Sequence, residues 1–432
     1  MQDNRYKRNS LITRSISTIL MFMYIYEFDF VYFGLPTIVT SRRIAVVCFG
    51  LFALIKYSIQ NNRIVIILPY GQTWKYLYKV LYFQLFLLTY VFAIYLVIGK
   101  GTGEQVSDSI IRLILFGIIP VFFLYYYFDD VDMFFKSILY ATLLQAVIII
   151  ICLSNVNIQT TLDTIFASES DYIITHRKYY AGGIACITAP GSLKFSIGLI
   201  ASVFFFLKSN KNVYIAIYIF LAIIAVLIAR TGAFVAGVGL LIMTFVSFKS
   251  KNTINAVKYL LVAVSLIVVV VAVIDSSGMW GDIGQFLTRY SKLSNGLYEG
   301  FFQAYFFQAG NHIPELSIKT IFGTGITSGT SGNGVYVYAD GGFLRLYVAF
   351  GLPLCIVFYC HLMYIFIQII KQVKDSSFYY TLIFFLATII IAEIKEFTLY
   401  KQYYICIFFS AFFLYSKQIF EDHDIVHKNT KL

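Results

Sequence analysis

Apolar residues fall along this chain in runs of about 17–25 positions, the length a helix needs to cross the hydrocarbon core of a bilayer. The runs lie at 11–31, 43–59, 77–98, 110–128, 133–153, 194–208, 213–229, 232–248, 258–275, 341–368, 377–394 and 402–416. They predict an all-α polytopic integral membrane protein with about twelve transmembrane helices, forming a single transmembrane domain over residues 1–432. The first run, Leu11 to Phe30, has no small-residue cleavage site and is followed by many further spans, so it is read as a retained helix.

Most connections between these runs are short. The two exceptions are Ser154–Leu193 and Ser276–Asp340 (the loops 154–193 and 276–340), and connections beyond about 12–15 residues usually carry function or are disordered. Both are rich in aromatic, Gly and mixed charged residues, a composition that predicts loops folded over a membrane face. Within the second, "GLYEGFFQAYFFQAG" (296–310) reads as an interfacial helix. No internal repeat is visible, which weakens the case for a transporter of two related halves.

Basic residues orient the spans. With a cytoplasmic N-terminus, Arg5, Lys7, Arg8, Arg14, Arg63, Lys75, Lys208, Lys211, Lys249, Lys251, Lys371, Lys374, Lys417 and the basic tail all fall inside, as the positive-inside rule requires. Arg42 and Arg43 fall on the other side and are outvoted. Both termini are then cytoplasmic and both long loops extracytoplasmic.

Composition agrees with this picture. Of 432 residues 59% are hydrophobic and only 13% charged, against about a quarter in soluble domains, and the mean hydropathy is +0.78. The net charge of +11 is accounted for by topology, so no nucleic-acid partner is implied. Aromatic residues, 19% of the chain, are read as lipid-facing and belt positions. The six cysteines lie mostly in apolar runs without a CxxC pair, which argues against a disulfide framework or a zinc site. Walker, GxSxG and HExxH motifs are absent, so ATP hydrolysis, serine hydrolysis and a His-rich zinc site drop in rank.

Charges at the predicted outer interface are the first candidates for chemistry, because ionisable groups at membrane depth are functional by default. In "LIARTGAFVAGVGLL" (227–241) Arg230 occupies a tight turn between two spans, suited to gripping a phosphate or to snorkelling toward lipid headgroups. Gly232, Ala233, Ala236 and Gly237 follow with small-residue spacing that admits another backbone. In "YADGGFLRLYVAFGLP" (338–353) Asp340 reads either as an N-cap or as a group facing a polar site. Arg345, five residues on, would sit about 140° round the helix and about 7 Å deeper, which excludes a simple intrahelical pair.

The long loops add His176, Arg177 and Lys178, then Arg289, Lys292 and Glu299, then His312 and Glu315 ahead of a Gly/Ser/Thr-rich stretch. "YEFDF" (26–30) is an acidic cluster that reads as an interfacial belt or, in the alternative, as a metal or base site; "FDDVD" (128–132) reads as a solvated cytoplasmic turn that caps the next helix.

The two large outer loops, the arginine of "ARTGAF" and the late "GTGITSG…YADGGFLRLYVAFGLP" together resemble the Wzy-type O-antigen and capsular polysaccharide polymerases, whose superfamily includes the O-antigen ligases. The likeness in residues is confined to about 227–241 and 321–353, and "YADGG" stands where a ligase would carry a His-Asn pair. The resemblance implies a multi-pass protein of the bacterial inner (cytoplasmic) membrane. It implies a glycosyltransferase that moves a growing chain from its undecaprenyl pyrophosphate to a sugar hydroxyl of the next lipid-linked oligosaccharide, without metal or other cofactor. In that reading Arg230, Arg345 and Arg289 hold the leaving pyrophosphate and Asp340, or else His312, takes the proton. Arg177, Lys178 and His176 would bind substrate, and a chain-length regulator protein is an implied partner beside membrane lipids. A repeat-unit flippase and a ligase are the rival readings.

Overall fold

The computed structural model describes residues 2–30, 33, 39–61, 73–98, 104–166, 183–184, 188–249, 321–327, 329–330, 336–337, 341–395 and 402–429. The helices are α1 (Gln2–Tyr26), α2 (Ser41–Asn61), α3 (Lys75–Ile98), α4 (Glu104–Leu113), α5 (Ile119–Tyr127), α6 (Val131–Ser154) and α7 (Val156–Ile165), followed by α8 (Thr188–Ser209), α9 (Asn212–Ile228) and α10 (Arg230–Lys249). Then come α11 (Gly342–Phe350), α12 (Leu352–Lys371), α13 (Ser376–Lys395) and α14 (Gln402–Asn429), with a π turn (Ile114–Ile118) joining α4 to α5. The strands β1 (Gly329–Thr330) and β2 (Tyr336–Val337) form an antiparallel ladder of two residues each.

Every apolar run falls mainly on helical segments, in one or more pieces, except 258–275, which lies outside the described residues. Among the described residues seven helices are long and apolar enough to cross a membrane: Lys75–Val97, Val106–Tyr127, Val131–Ser154, Pro190–Ser209, Thr231–Lys249, Leu352–Lys371 and Ser376–Ile394. The molecule is a helical, multi-pass membrane protein. Ile12–Tyr26 and Asn212–Ile228 are shorter apolar helices. Large apolar side chains such as Val97, Ile59 and Leu241 stand mostly exposed, as lipid-facing residues do.

Helix α8 is the hub, packed against α6, α9, α10 and α13. Its sequence explains why: lipid is as apolar as leucine, so helices associate through close van der Waals fit, which small residues permit. Ser192, Ser196, Gly198, Ala201 and Ser202 lie along it, and a Cβ on Gly198 would fall 2.5 Å from the Thr142 side chain of α6. In the "ARTGAFVAGVGLL" stretch the glycines that are closely approached are Gly232, against the Ala225 carbonyl, and Gly239, against Tyr218 and Phe384. Gly237 faces open space, contrary to the close packing expected of it.

The run 341–368 is not one span. Gly351, at φ +81°, breaks it into α11 and α12. Its Cβ would lie 2.1 Å from the Ile321 carbonyl oxygen, so only glycine fits. The carbonyls freed at the end of α11 are met by a strap from upstream: Thr324 N–H donates to Val348 O at 2.8 Å and Gly325 N–H to Ala349 O at 3.0 Å. Irregular backbone at membrane depth is tolerable where protein satisfies it, as here. The first long loop is also partly helical, because α7 lies inside it and α8 starts at Thr188 rather than 194. Residues 183–184 are tied back to the bundle by Gln159, which accepts from Gly183 N–H, and by Gln145, which donates to Ile184 O, both at 2.8 Å.

The two ends of the bundle differ. One is a lysine pole: Lys56 pairs with Asp129 and Lys208 with Asp132, each at 2.5 Å, and Lys417 reaches Phe128 O. Asp130 there caps α6 through Met133 N–H at 2.6 Å, as expected of "FDDVD". The other pole gathers the end of α1, the starts of α2, α8 and α14, and the α11–α12 break.

Candidate functional site

The site at this second pole starts from a proline. Pro120 has no N–H to offer Phe116 O four residues before it, and the helix widens there into the π turn Ile114–Ile118. Tyr24 of α1 donates its hydroxyl to Phe116 O at 2.6 Å, locking α1 to the distorted turn. The Arg43 guanidinium lies over the Phe116 ring, 5.4 Å from its centre.

Helix α1 ends at Tyr26, so the carbonyls of residues 23–26 have no helical donor. Ser41 Oγ donates to Met23 O at 3.0 Å, Arg42 Nε to Tyr24 O at 2.9 Å and Lys194 Nζ to Tyr26 O at 3.2 Å. Two of these caps are cations placed at the negative end of the helix dipole, where they are favourable. Arg42, 4% exposed, also forms an ion pair with Glu27 and lies over the rings of Tyr24 and Tyr403, 5.7 and 5.5 Å from their centres. Tyr404, next along α14, donates to Leu193 O at 2.8 Å beside Lys194. Arg42 therefore does not contradict the orientation drawn from charge. It is folded into protein, outside the population of flanking charges that the positive-inside rule counts.

Burial pushes the Glu27 carboxyl up, but Arg42, then Lys194 and Arg112, pull harder and hold it below its ordinary 4.5. It is a poor proton acceptor at neutral pH, and its three cationic neighbours repel a metal ion, which removes the physical basis for a metal site in "YEFDF". Asp29 moves the other way: burial and then the Glu27 charge raise its carboxyl above 3.8, against the pull of Arg43. Among the described residues no group of three His, Cys, Asp or Glu side chains could hold a metal. Four cations, Arg42, Arg43, Arg112 and Lys194, converge on one end of the bundle, with Arg42 paired to Glu27 and Arg112 to Asp108 at 2.8 Å.

Two of the residues singled out from sequence fall on described helices. Arg230 opens α10 directly after Ala229, and Arg345 is half-buried on α11. Both helices pack against α13; α10 begins at the second pole, whereas the start of α11 lies beside Tyr359 of α12, with the Phe343 and Tyr359 rings 4.5 Å apart. The N-cap of α11 is Gly341, which has no side chain to cap with. Asp340, His312, Arg289, Arg177, Lys178 and His176 lie outside the described residues.

Sequence reasoning missed Glu393, a carboxylate 1% exposed near the end of α13, to which Tyr359 of α12 donates at 2.7 Å. A lone acid closing the apolar run of α13 was the available signal. Beside the α11–α12 break, an apolar cavity of about 230 Å³ opens between Phe86 and Tyr90 of α3, Phe322, and Phe350, Pro353 and Val357.

The chain matches no protein-family model, no curated protein and no solved structure.

Proposed function

We propose that this protein polymerises undecaprenyl-pyrophosphate-linked oligosaccharide repeat units at the outer face of a bacterial cytoplasmic membrane. The proposed topology has about twelve spans, both termini inside and the lysine pole cytoplasmic. The observation that carries the reading is the position of Arg230 and Arg345, the two arginines of the stretches that resemble the polymerase family. Both sit on helices that pack against α13. The second pole carries Arg42, Arg43, Arg112 and Lys194 against Glu27, Asp29 and Asp108, a small positive excess that suits an anionic headgroup, and the apolar cavity beside α11 suits an isoprenoid chain.

In the proposed step a hydroxyl of the acceptor unit attacks the anomeric carbon of the donor sugar. The bond from that carbon to the pyrophosphate oxygen breaks, the lipid pyrophosphate leaves as an anion, and the hydroxyl proton passes to Asp340 or His312. Arg230, Arg345 and Arg289 stabilise the charge that builds on the leaving group. Arg177, Lys178 and His176 bind the sugars of the incoming unit. A chain-length regulator protein would act alongside. A repeat-unit flippase would keep its charges near the bilayer midplane; the polar cluster described here lies at one pole, which favours the polymerase.

The test is to incubate purified protein in lipid nanodiscs with one lipid-linked repeat unit, without metal or nucleotide. A ladder of products is expected, lost in Arg230→Ala, Arg345→Ala and Asp340→Ala at unchanged protein level. Transbilayer movement without elongation would make the protein a flippase, and normal chain length in all three variants would sink the assignment.

A further inference from the structure

Glu393 is a carboxylate for which the proposed chemistry has no use. It lies, 1% exposed, in the last turn of a helix that is otherwise apolar and fit to cross a membrane, where a buried charge is costly. Its Oε1 accepts the Tyr359 hydroxyl at 2.7 Å. The ring of Tyr359 in turn packs on Phe343, with centroids 4.5 Å apart. Phe343 stands two residues before Arg345 on α11, and its carbonyl also meets the Cys355 thiol at 3.9 Å.

Helix α11 has only nine residues, too few to persist without tertiary support. At its C-terminal end the strap through Thr324 and Gly325 holds it by backbone. At its N-terminal end the contacts run through Phe343 to Tyr359 and Glu393, and the helix packs against both α12 and α13. We propose that Glu393 and Tyr359 are positioning residues: their hydrogen bond fixes the ring against which α11 rests, and so fixes the place of Arg345. The role of Arg345 in transfer rests on the polymerase reading; the positioning itself does not.

The variants are Tyr359→Phe, Glu393→Leu and Glu393→Gln, the last keeping an oxygen that can accept from Tyr359. Amide hydrogen exchange is followed over 342–350 in micelles, and kcat and KM are measured for transfer from a lipid-linked unit. Loss of one buried hydrogen bond predicts exchange over 342–350 faster by about tenfold in Tyr359→Phe and Glu393→Leu, with α8 unchanged. A misplaced Arg345 predicts kcat lower by up to about a hundredfold while KM changes little. Glu393→Gln should restore both. Unchanged exchange over 342–350 in Tyr359→Phe, or a Glu393→Gln variant as impaired as Glu393→Leu, would overturn the proposal. Absence of transfer by the wild type would instead refute the polymerase reading, with the exchange result still deciding this one.

Discussion

Glu27→Gln removes the charge that faces Arg42 and changes little in volume. Arg42 is 5% exposed along its side chain and Glu27 36%, so the pair has one buried end and one end reached by solvent. Breaking a fully buried pair costs about 3–5 kcal/mol and an exposed pair is worth about 0.2–1 kcal/mol. Intermediate burial places this change at about 2–3 kcal/mol, because Arg42 keeps its bond to Tyr24 O and its two ring faces. Arg42→Met should cost about as much by a different route. Glu27 would still face Lys194 and Arg112, while the cap on Tyr24 O would be lost. The double variant should therefore cost less than the sum by at least about 1 kcal/mol.

Reversible unfolding in mixed micelles titrated with SDS, read by tryptophan fluorescence, measures these differences; Trp74 stacks on Phe413 of α14 at 3.9 Å and reports on unfolding of the bundle. The pH dependence gives a second, independent check. A carboxyl lowered on folding stabilises fully above its unfolded value near 4.5, and that stability is lost as pH falls through the lower folded value. The wild type should lose stability below about pH 4.5, and Glu27→Gln should lose less of it over the same range. Additive single variants, or an acid limb identical in Glu27→Gln, would refute the reasoning.

Three further outcomes follow from the backbone. Tyr24→Phe should cost about 1–2 kcal/mol in the same titration, since Phe116 O loses its hydroxyl donor; the cost should shrink in a Pro120→Ala background, where an N–H is restored. Gly351→Ala should cost at least about 3 kcal/mol or abolish folded protein, because the added Cβ meets the Ile321 carbonyl at a positive φ. Gly237→Ala, in open space inside α10, should be neutral or stabilising by up to about 1 kcal/mol, and equal behaviour of the two glycine variants would count against the packing described.

The helices were legible because a span must bury about twenty successive residues in lipid, and that requirement is local. Stretches such as Val131–Ser154 and Ser376–Lys395 therefore read directly from hydropathy. The break at Gly351 was not legible, since "VAFGLP" is apolar on both sides and glycine is common in membrane helices. Only the approach of Ile321 shows what that glycine is for. Arg42 read as an orientation exception because charge counting is blind to a partner fifteen residues back, just past the end of another helix. Pro120 stood in plain sight, but its consequence, a carbonyl taken up by Tyr24, depends on α1 lying alongside.

By itself, then, the sequence determined that this chain is a bundle of membrane-embedded helices, that its lysines gather at helix ends, and that arginines stand at Arg230 and Arg345. Those properties follow from residue type and spacing along one strand of chain. The tertiary structure alone decided that Arg42 and Lys194 cap α1, that α11 is a separate half-helix, and that Glu393 is buried against Tyr359. Each of those depends on which helices lie side by side, and in lipid that choice is made by close fit and hydrogen bonding between distant residues, to which hydropathy is insensitive.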